Sequence, residues 1–279
     1  MQNIFSLVRF APTYALENIS HAGAYLYIID FMKLQRFFVK NKAQVGADLV
    51  VADPALSHQL AKVFRMKTGD SVLLFDGDGF EYVSTIASLR KDGAVFHIEK
   101  SSESITLPKV SLHLYPALIK KDKLEWVLQK CTELGVKSFH PIIAERSEKL
   151  GFDLKREEKI VKEAAEQSGW GRVPEIFSPE KLETAIAQAE NPLVLDSSVG
   201  ASEWSSFFTR KLASLKHSPS ETAPRPPSDF SIFIGPEGGW SENEKEYFLA
   251  RGIPVVSLGE QTLRAETASV AVSALLLFL

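Results

Sequence analysis

The sequence predicts an α/β protein with parallel-type strands in its carboxyl-terminal half and a small β-rich region ahead of it. Two stretches near the end carry the prediction. An apolar run, Phe230 to Ile234, leads straight into Gly235-Pro236-Glu237-Gly238-Gly239-Trp240, and then into Ser241-Glu242-Asn243-Glu244. The last four residues read as a capping box: a serine that takes a free helix N–H and a glutamate three places on that reaches back. A second apolar run, Ile253 to Leu258, ends in a polar loop from Gly259 to Ala268, and an apolar helix from Ser269 to Leu279 closes the chain. Strand, turn, helix, strand, loop, helix is the alternation of an α/β sheet, and such sheets bind ligands beyond the carboxyl ends of their strands.

Glycine carries no Cβ, so Gly235, Gly238, Gly239 and Gly259 let bare backbone approach a ligand and offer it N–H and C=O groups. A single loop of this kind is usually only a connection between elements. Two together, with Arg264 and Glu266 in a segment whose folding requires neither charge, point to a binding wall. Pro192 to Ser198, with Leu193-Val194-Leu195-Asp196, is a further apolar strand that ends in polar residues and whose carboxyl end should face the same space, which adds Leu195 and Ile234 to the candidates.

The segments Ile234-Gly235-Pro236-Glu237-Gly238-Gly239, Ser257-Leu258-Gly259 and Leu263-Arg264-Ala265-Glu266-Thr267-Ala268 resemble the carboxyl-terminal signature of the SPOUT methyltransferases. Within that superfamily they resemble the RsmE type, which methylates N3 of a uridine in 16S ribosomal RNA. The resemblance spans about Met32 to Leu279 and implies a trefoil-knotted methyltransferase domain over 109–279 that holds S-adenosylmethionine, preceded by a PUA-like, RNA-binding β-barrel over 32–108. It places Leu258, Gly259, Leu263, Arg264, Thr267 and Ala268 beside the glycine turn as cofactor-binding candidates. It also implies a homodimer, because the terminal helix in that superfamily packs across a two-fold axis; the apolar Val270 to Leu279 agrees.

Composition bounds the partners. Hydrophobic residues make up 45% and charged residues 24% of the chain, an ordinary globular balance. The formal net charge of −3 argues against a nucleic-acid binder held by overall charge, so RNA contacts would come from local basic patches. The single Cys131 cannot form an internal disulfide, which fits a reducing, cytoplasmic setting. No apolar run reaches spanning length, so no membrane is expected. The six histidines are dispersed and no metal is expected.

Residues 1–31 carry Arg9 and no lysine, with scattered aromatics and no continuous apolar core, and so make a poor secretory signal. They read as an extension, or as an overlong start with Met32 as the true one. From Met32 the chain reads as short strands. Asp76-Gly77-Asp78-Gly79 is a hairpin turn between two strand-like runs, and Leu56, Leu60, Val63 and Phe64 suggest a helix between Asp53 and Phe64. Lys33, Arg36, Lys40 and Lys42 fall close together without an acid, which reads equally as a phosphate footprint and as a solvated face. Arg36 is the RNA-binding candidate there, with Phe37 and Phe38 taken as structural.

In the second half Leu112 to Leu118 predicts a buried strand. Leu124, Val127, Leu128 and Cys131 make one face of a helix that Gly135 ends, and Phe139 to Ala144 a following strand. Lys123 and Arg146 match the lysine-bearing helix and the Arg-Ser pair of the RsmE type, and are RNA-binding candidates by that resemblance, against surface salt bridges as the alternative. A helix from Arg156 to Ser168 leads to Gly169-Trp170-Gly171-Arg172, where the family usually has an arginine at position 170; Arg172 is the candidate to take over its contact, and a stacking role for Trp170 is open. A mobile loop is expected over 216–229.

For methyl transfer to a uridine N3, a proton must leave a poor nucleophile. A carboxylate or a cation near the base would serve, which makes Arg264 and Glu266 the catalytic candidates, Arg264 orienting the base or stabilising charge on its oxygen and Glu266 and Glu237 organising the loop. Simple bonding of both carboxylates to backbone N–H groups is the plainer alternative. The rival classes are a SPOUT enzyme acting on another RNA, a non-catalytic RNA-binding protein, and a nucleotide-dependent oxidoreductase. The last lacks the Gly-x-Gly-x-x-Gly spacing.

Overall fold

The computed structural model describes residues 34–104, 108, 110–148, 151–199 and 228–278, in two compact units divided near residue 105. The expectations for residues 1–31 and for loop residues 216–227 lie outside the described residues.

The first unit is a five-stranded sheet of β1 (Arg36–Phe38), β2 (Asp48–Val51), β3 (Ser71–Phe75), β4 (Phe80–Arg90) and β5 (Gly93–Glu103), in the order β1-β3-β4-β5-β2. Alternation along β2 and β5 sends Leu49, Val51, Phe96 and Ile98 inward, where they meet Phe37 from the opposite sheet edge in one core. The turn joining β3 to β4 is built as its Asp-Gly repeat suggests: Gly77 and Gly79 have φ of +85° and +92°, and Asp78 accepts the Phe80 N–H and the Tyr82 hydroxyl. The helix expected between Asp53 and Phe64 is present but changes pitch. It runs as α1 (Pro54–His58), capped by Asp53, and then opens into a π-helical turn at Gln59–Val63.

The second unit is built on six parallel strands: β6 (Val110–Pro116), β7 (Ser138–Phe139), β9 (Glu175–Ile176), β11 (Pro192–Leu195), β12 (Ser228–Ile234) and β13 (Val255–Val256). Their spatial order is β13-β11-β12-β6-β7-β9. Around them lie α2 (Lys121–Leu134), α3 (Leu154–Ser168), α4 (Leu182–Gln188), α5 (Glu242–Ala250) and α6 (Ala265–Phe278). The stripe Leu124, Val127, Leu128, Cys131 packs with Val161 of α3 and with Val272 and Leu276 of α6 on the inner strands. On the other face Phe233, Tyr115, His140 and Phe177 stack in a row, with centroids 4.3, 4.5 and 4.3 Å apart.

Several boundaries differ from the sequence expectations. The strand expected over Phe139–Ala144 breaks at Pro141, which lacks an N–H; beyond it β8 (Ile142–Ile143) pairs instead with β10 (Glu180–Lys181). The strand from Ile253 shortens to the two residues of β13, an edge strand with β11 as its single partner. Ser228 and Asp229, assigned to a loop, begin β12. The terminal helix starts at Ala265, four residues earlier than expected, as the Ala268 N–H donates to the Arg264 carbonyl at 2.9 Å. Glu266, Thr267 and Ala268 therefore stand on the first turn of a helix.

Candidate active site

Three neighbouring strands end at one level, because Leu195 pairs with Ile234 on one side and with Val256 on the other. The loops that follow them enclose a crevice of about 310 Å³, a size suited to a small molecule. Leu195, Ile234, Leu258, Ala265 and Ala268 form apolar wall, and the glycine loop supplies bare main chain, while Asp196, Ser197, Glu237, Gln261 and Thr262 add polar groups. The mixture suits a ligand with a flat heterocycle and a polar tail, with backbone groups for hydrogen bonds and apolar faces against a ring.

The glycine loop is fixed from several sides. The capping box exists: the Ser241 hydroxyl accepts the Glu244 N–H at 3.2 Å, and the Glu244 carboxylate accepts the Ser241 N–H at 2.7 Å. Trp240 is 2% exposed, sends its indole N–H to the Leu195 carbonyl at 2.9 Å and meets Phe248 edge-on. A Cβ at Gly235 would lie 3.0 Å from the same indole, so glycine lets the ring lie against the strand end. Gly239 needs its glycine for another reason, a φ of +68°. In the facing loop the Ser257 hydroxyl donates to the Gly259 carbonyl at 2.7 Å.

Of the residues the sequence nominated for the cofactor, Leu195, Ile234, Gly235, Glu237, Gly238, Gly239, Leu258, Leu263 and Ala268 line the crevice. Gly259 and Arg264 sit between lining residues, and Thr267 is exposed on α6. Sequence reasoning turned the polar end of β11 to this space without nominating Asp196 or Ser197, and among the residues it left out are Trp240, Gln261 and Thr262, the last two marked by no short motif.

Arg264 is exposed beside Leu263 and Ala265 of the wall. Glu266 is buried, and its Oε1 pairs with Lys123 Nζ at 3.2 Å while its Oε2 has no hydrogen-bond partner among the described residues. Lys123 thus tethers α2 to the start of α6. Arg146 donates through Nη1 to the Gly238 and Trp240 carbonyls, at 2.9 and 3.2 Å. Arg172 is half-buried beside Trp170 and Pro174, and burial lowers its pKa. Trp170 donates its indole N–H to the Glu133 carbonyl at 2.7 Å and lies on Gly135, covering the end of α2. In the first unit Arg36 is held in an ion pair with Glu81 at 2.8 Å, with side-chain exposures of 10% and 6%. Among the described residues no cluster of histidine, cysteine, aspartate or glutamate could hold a metal ion, and no helix is long and apolar enough to cross a membrane.

The division into a β unit and a parallel α/β unit agrees with the families that the chain matches. Residues 106–277 match the RNA methyltransferase domain family, and residues 55–99 match the RNA methyltransferase PUA domain. The chain belongs to this RNA methyltransferase family. It is 34% identical over 251 residues to ribosomal RNA small subunit methyltransferase E of Bacillus subtilis, covering 84% of this chain and 93% of the relative. Among solved structures it is similar to a Legionella pneumophila methyltransferase in complex with S-adenosylmethionine, with 27% identity, a TM-score of 0.72 and coverage of 88% and 97%. It is also similar to the small subunit methyltransferase E of Neisseria gonorrhoeae bound to S-adenosylmethionine, with 25% identity, a TM-score of 0.70 and coverage of 87% and 96%.

Proposed function

We propose that the protein methylates N3 of a uridine in 16S ribosomal RNA, using S-adenosylmethionine held in the crevice above β11, β12 and β13. The observation that carries this is the convergence of three loops from neighbouring strand ends on a single crevice of about 310 Å³, in a chain of the RNA methyltransferase family. The fit to the cofactor is chemical: apolar wall for the adenine, main-chain groups for its edge, and polar side chains at the rim. When bound, S-adenosylmethionine supplies an electrophilic methyl on a sulfonium.

The protein's own task is then to position the base, exclude water and ease a proton from N3. In this reading Arg264, exposed between two wall residues, directs its guanidinium to the uracil oxygen on which charge develops. Glu266 serves Arg264 indirectly: buried and paired with Lys123, it fixes the turn from which Arg264 projects. In the second unit Lys123, beside its partner Glu266, supplies a phosphate contact, as does Arg172 at the end of α2; in the first unit the exposed Lys40 and Lys42, the latter paired with Asp76 at 3.3 Å, do the same. Arg36, spent on Glu81, holds the strand that leads to Lys40 and Lys42.

A trefoil knot in the last loops belongs to the same reading, supported by the return of α6 against β6 and β12. So does a homodimer in the cytoplasm, supported by the outer face of α6, where Ala271, Ala274 and Leu275 are half-buried and Phe278 is 64% exposed. The small ribosomal subunit, or its RNA, is the substrate. Mapping methylated uridines in 16S ribosomal RNA from a deletion strain and its complemented control tests the proposal. One N3-methyl mark should vanish and return; unchanged marks in both strains would end it.

A further inference from the structure

The turn Glu145-Arg146-Ser147 lies against the glycine loop, although the bonded residues are 92 to 99 positions apart in sequence. Three sets of bonds join the two. Arg146 Nη1 donates to the carbonyls of Gly238 and Trp240 at 2.9 and 3.2 Å. Glu244, 5% exposed, uses both carboxylate oxygens on main chain, Oε2 accepting the Ser241 N–H at 2.7 Å and Oε1 the Glu145 N–H at 2.9 Å. Asn243 Nδ2 closes the group by donating to Glu145 Oε1 at 3.2 Å. Packing agrees with bonding, since a Cβ placed on Gly238 would lie 3.4 Å from Cβ and Cδ of Arg146, so the arginine stem runs across the face that glycine leaves bare.

We propose that Arg146 and Glu244 are positioning residues for the cofactor, setting the shape of the glycine wall from behind, and that Arg146 acts on cofactor affinity rather than as a contact to RNA. This rests on the reading that the crevice holds S-adenosylmethionine. A capping box needs one acceptor at its third position, and glutamine supplies one. Here two N–H groups converge on Glu244, so a carboxylate is required: an amide in its place would turn an NH₂ toward one backbone N–H, donor against donor. The strain would fall on Ser241 or Glu145, the two ends of the clamp, and would be passed to the main chain at 238–240 that lines the crevice. Arg146 can be changed without disturbing a core because its residue is exposed.

The test compares wild type, Arg146→Ala, Arg146→Lys and Glu244→Gln in the full chain. Three quantities are measured: the S-adenosylmethionine dissociation constant by calorimetry, the KM for small-subunit RNA at saturating cofactor, and the thermal midpoint. Arg146→Ala and Glu244→Gln should each weaken cofactor binding about ten-fold, Arg146→Lys should recover part of that loss, and the RNA KM should stay at the wild-type value. An RNA KM that rises in Arg146→Ala with cofactor affinity intact overturns the proposal and makes Arg146 an RNA contact. A lower thermal midpoint with wild-type cofactor affinity in the folded fraction also overturns it, as support of the fold alone. Wild type without saturable cofactor binding removes the crevice reading itself, whereas wild-type binding with unmoved variants removes only the positioning role.

Discussion

Trp240 donates its indole N–H to the carbonyl of Leu195 at 2.9 Å, and so fastens the glycine loop of one strand to the end of the next. Both residues are buried, at 2% and 7% exposure, and both line the crevice. Trp240→Phe keeps an aromatic ring near Phe248 and deletes the donor. It should cost about 1–3 kcal/mol of stability for the carbonyl left without its partner, read as a lower urea midpoint at unchanged slope. A midpoint equal to wild type would show that the bond contributes nothing net.

Gly135 ends α2 with φ +99°, and a Cβ there would stand 2.7 Å from the Trp170 ring. Gly135→Ala meets both a left-handed backbone and an occupied space, and should destabilise by about 2–4 kcal/mol. Trp170→Phe retains most of the cover but not the bond to Glu133, so it should cost only about 1 kcal/mol. RNA affinity should be unaffected in Trp170→Phe; a marked loss there would return the ring to a stacking role.

Glu157 is 2% exposed on α3, and burial, reinforced by the Glu125 carboxylate and opposed by Lys121 and Arg156, pushes its pKa up to about 7 from 4.5. The folded protein therefore holds a proton that the unfolded chain has lost between these values, and Glu157 takes stability away as pH rises through that window. Glu157→Gln should match wild type below about pH 4.5, gain on it as pH rises to about 7, and keep a constant advantage above that. A difference in thermal midpoint that stays constant across the window would contradict this.

Arg264 carries the catalytic weight of the proposed reaction. Arg264→Ala should lower kcat about 10²-fold, the loss expected for one stabilising donor in a transition state, with cofactor affinity unchanged because Arg264 is exposed and does not line the crevice. Full turnover at saturating cofactor would take Arg264 out of the chemistry.

What could be read from the sequence was what neighbours in sequence decide. The capping box of Ser241 and Glu244, the Asp-Gly turn at 76–79 and the glycine stop of α2 each depend on a few adjacent residues, and each is present. The apolar strand ends at Leu195 and Ile234 showed that a wall would form, but Gln261 and Thr262 join it through the path of an irregular loop that no periodicity records. Charge was legible without its partner. Arg36 stands in a basic run, yet Glu81, which holds it, lies 45 residues away. Arg146 likewise spends its Nη1 on carbonyls that arrive only when β12 is in place. The start of α6 was misread because Arg264, just ahead of it, is not a capping type, whereas Thr267, which is, already stands inside the first turn.

The position of β12 bears on when in its life the protein becomes competent. This strand pairs with β6 from Ser228 opposite Val110 through Ile234 opposite Pro116, and with β11 on its other flank. A chain emerging from the ribosome would therefore present β6 with an empty flank until β12 had been made, a tacky edge that invites mispairing with other nascent chains. It would also be unable to grip its methyl donor until the stretch through Ala268 had been translated and had emerged, so a half-made copy can occupy chaperones but cannot mark RNA.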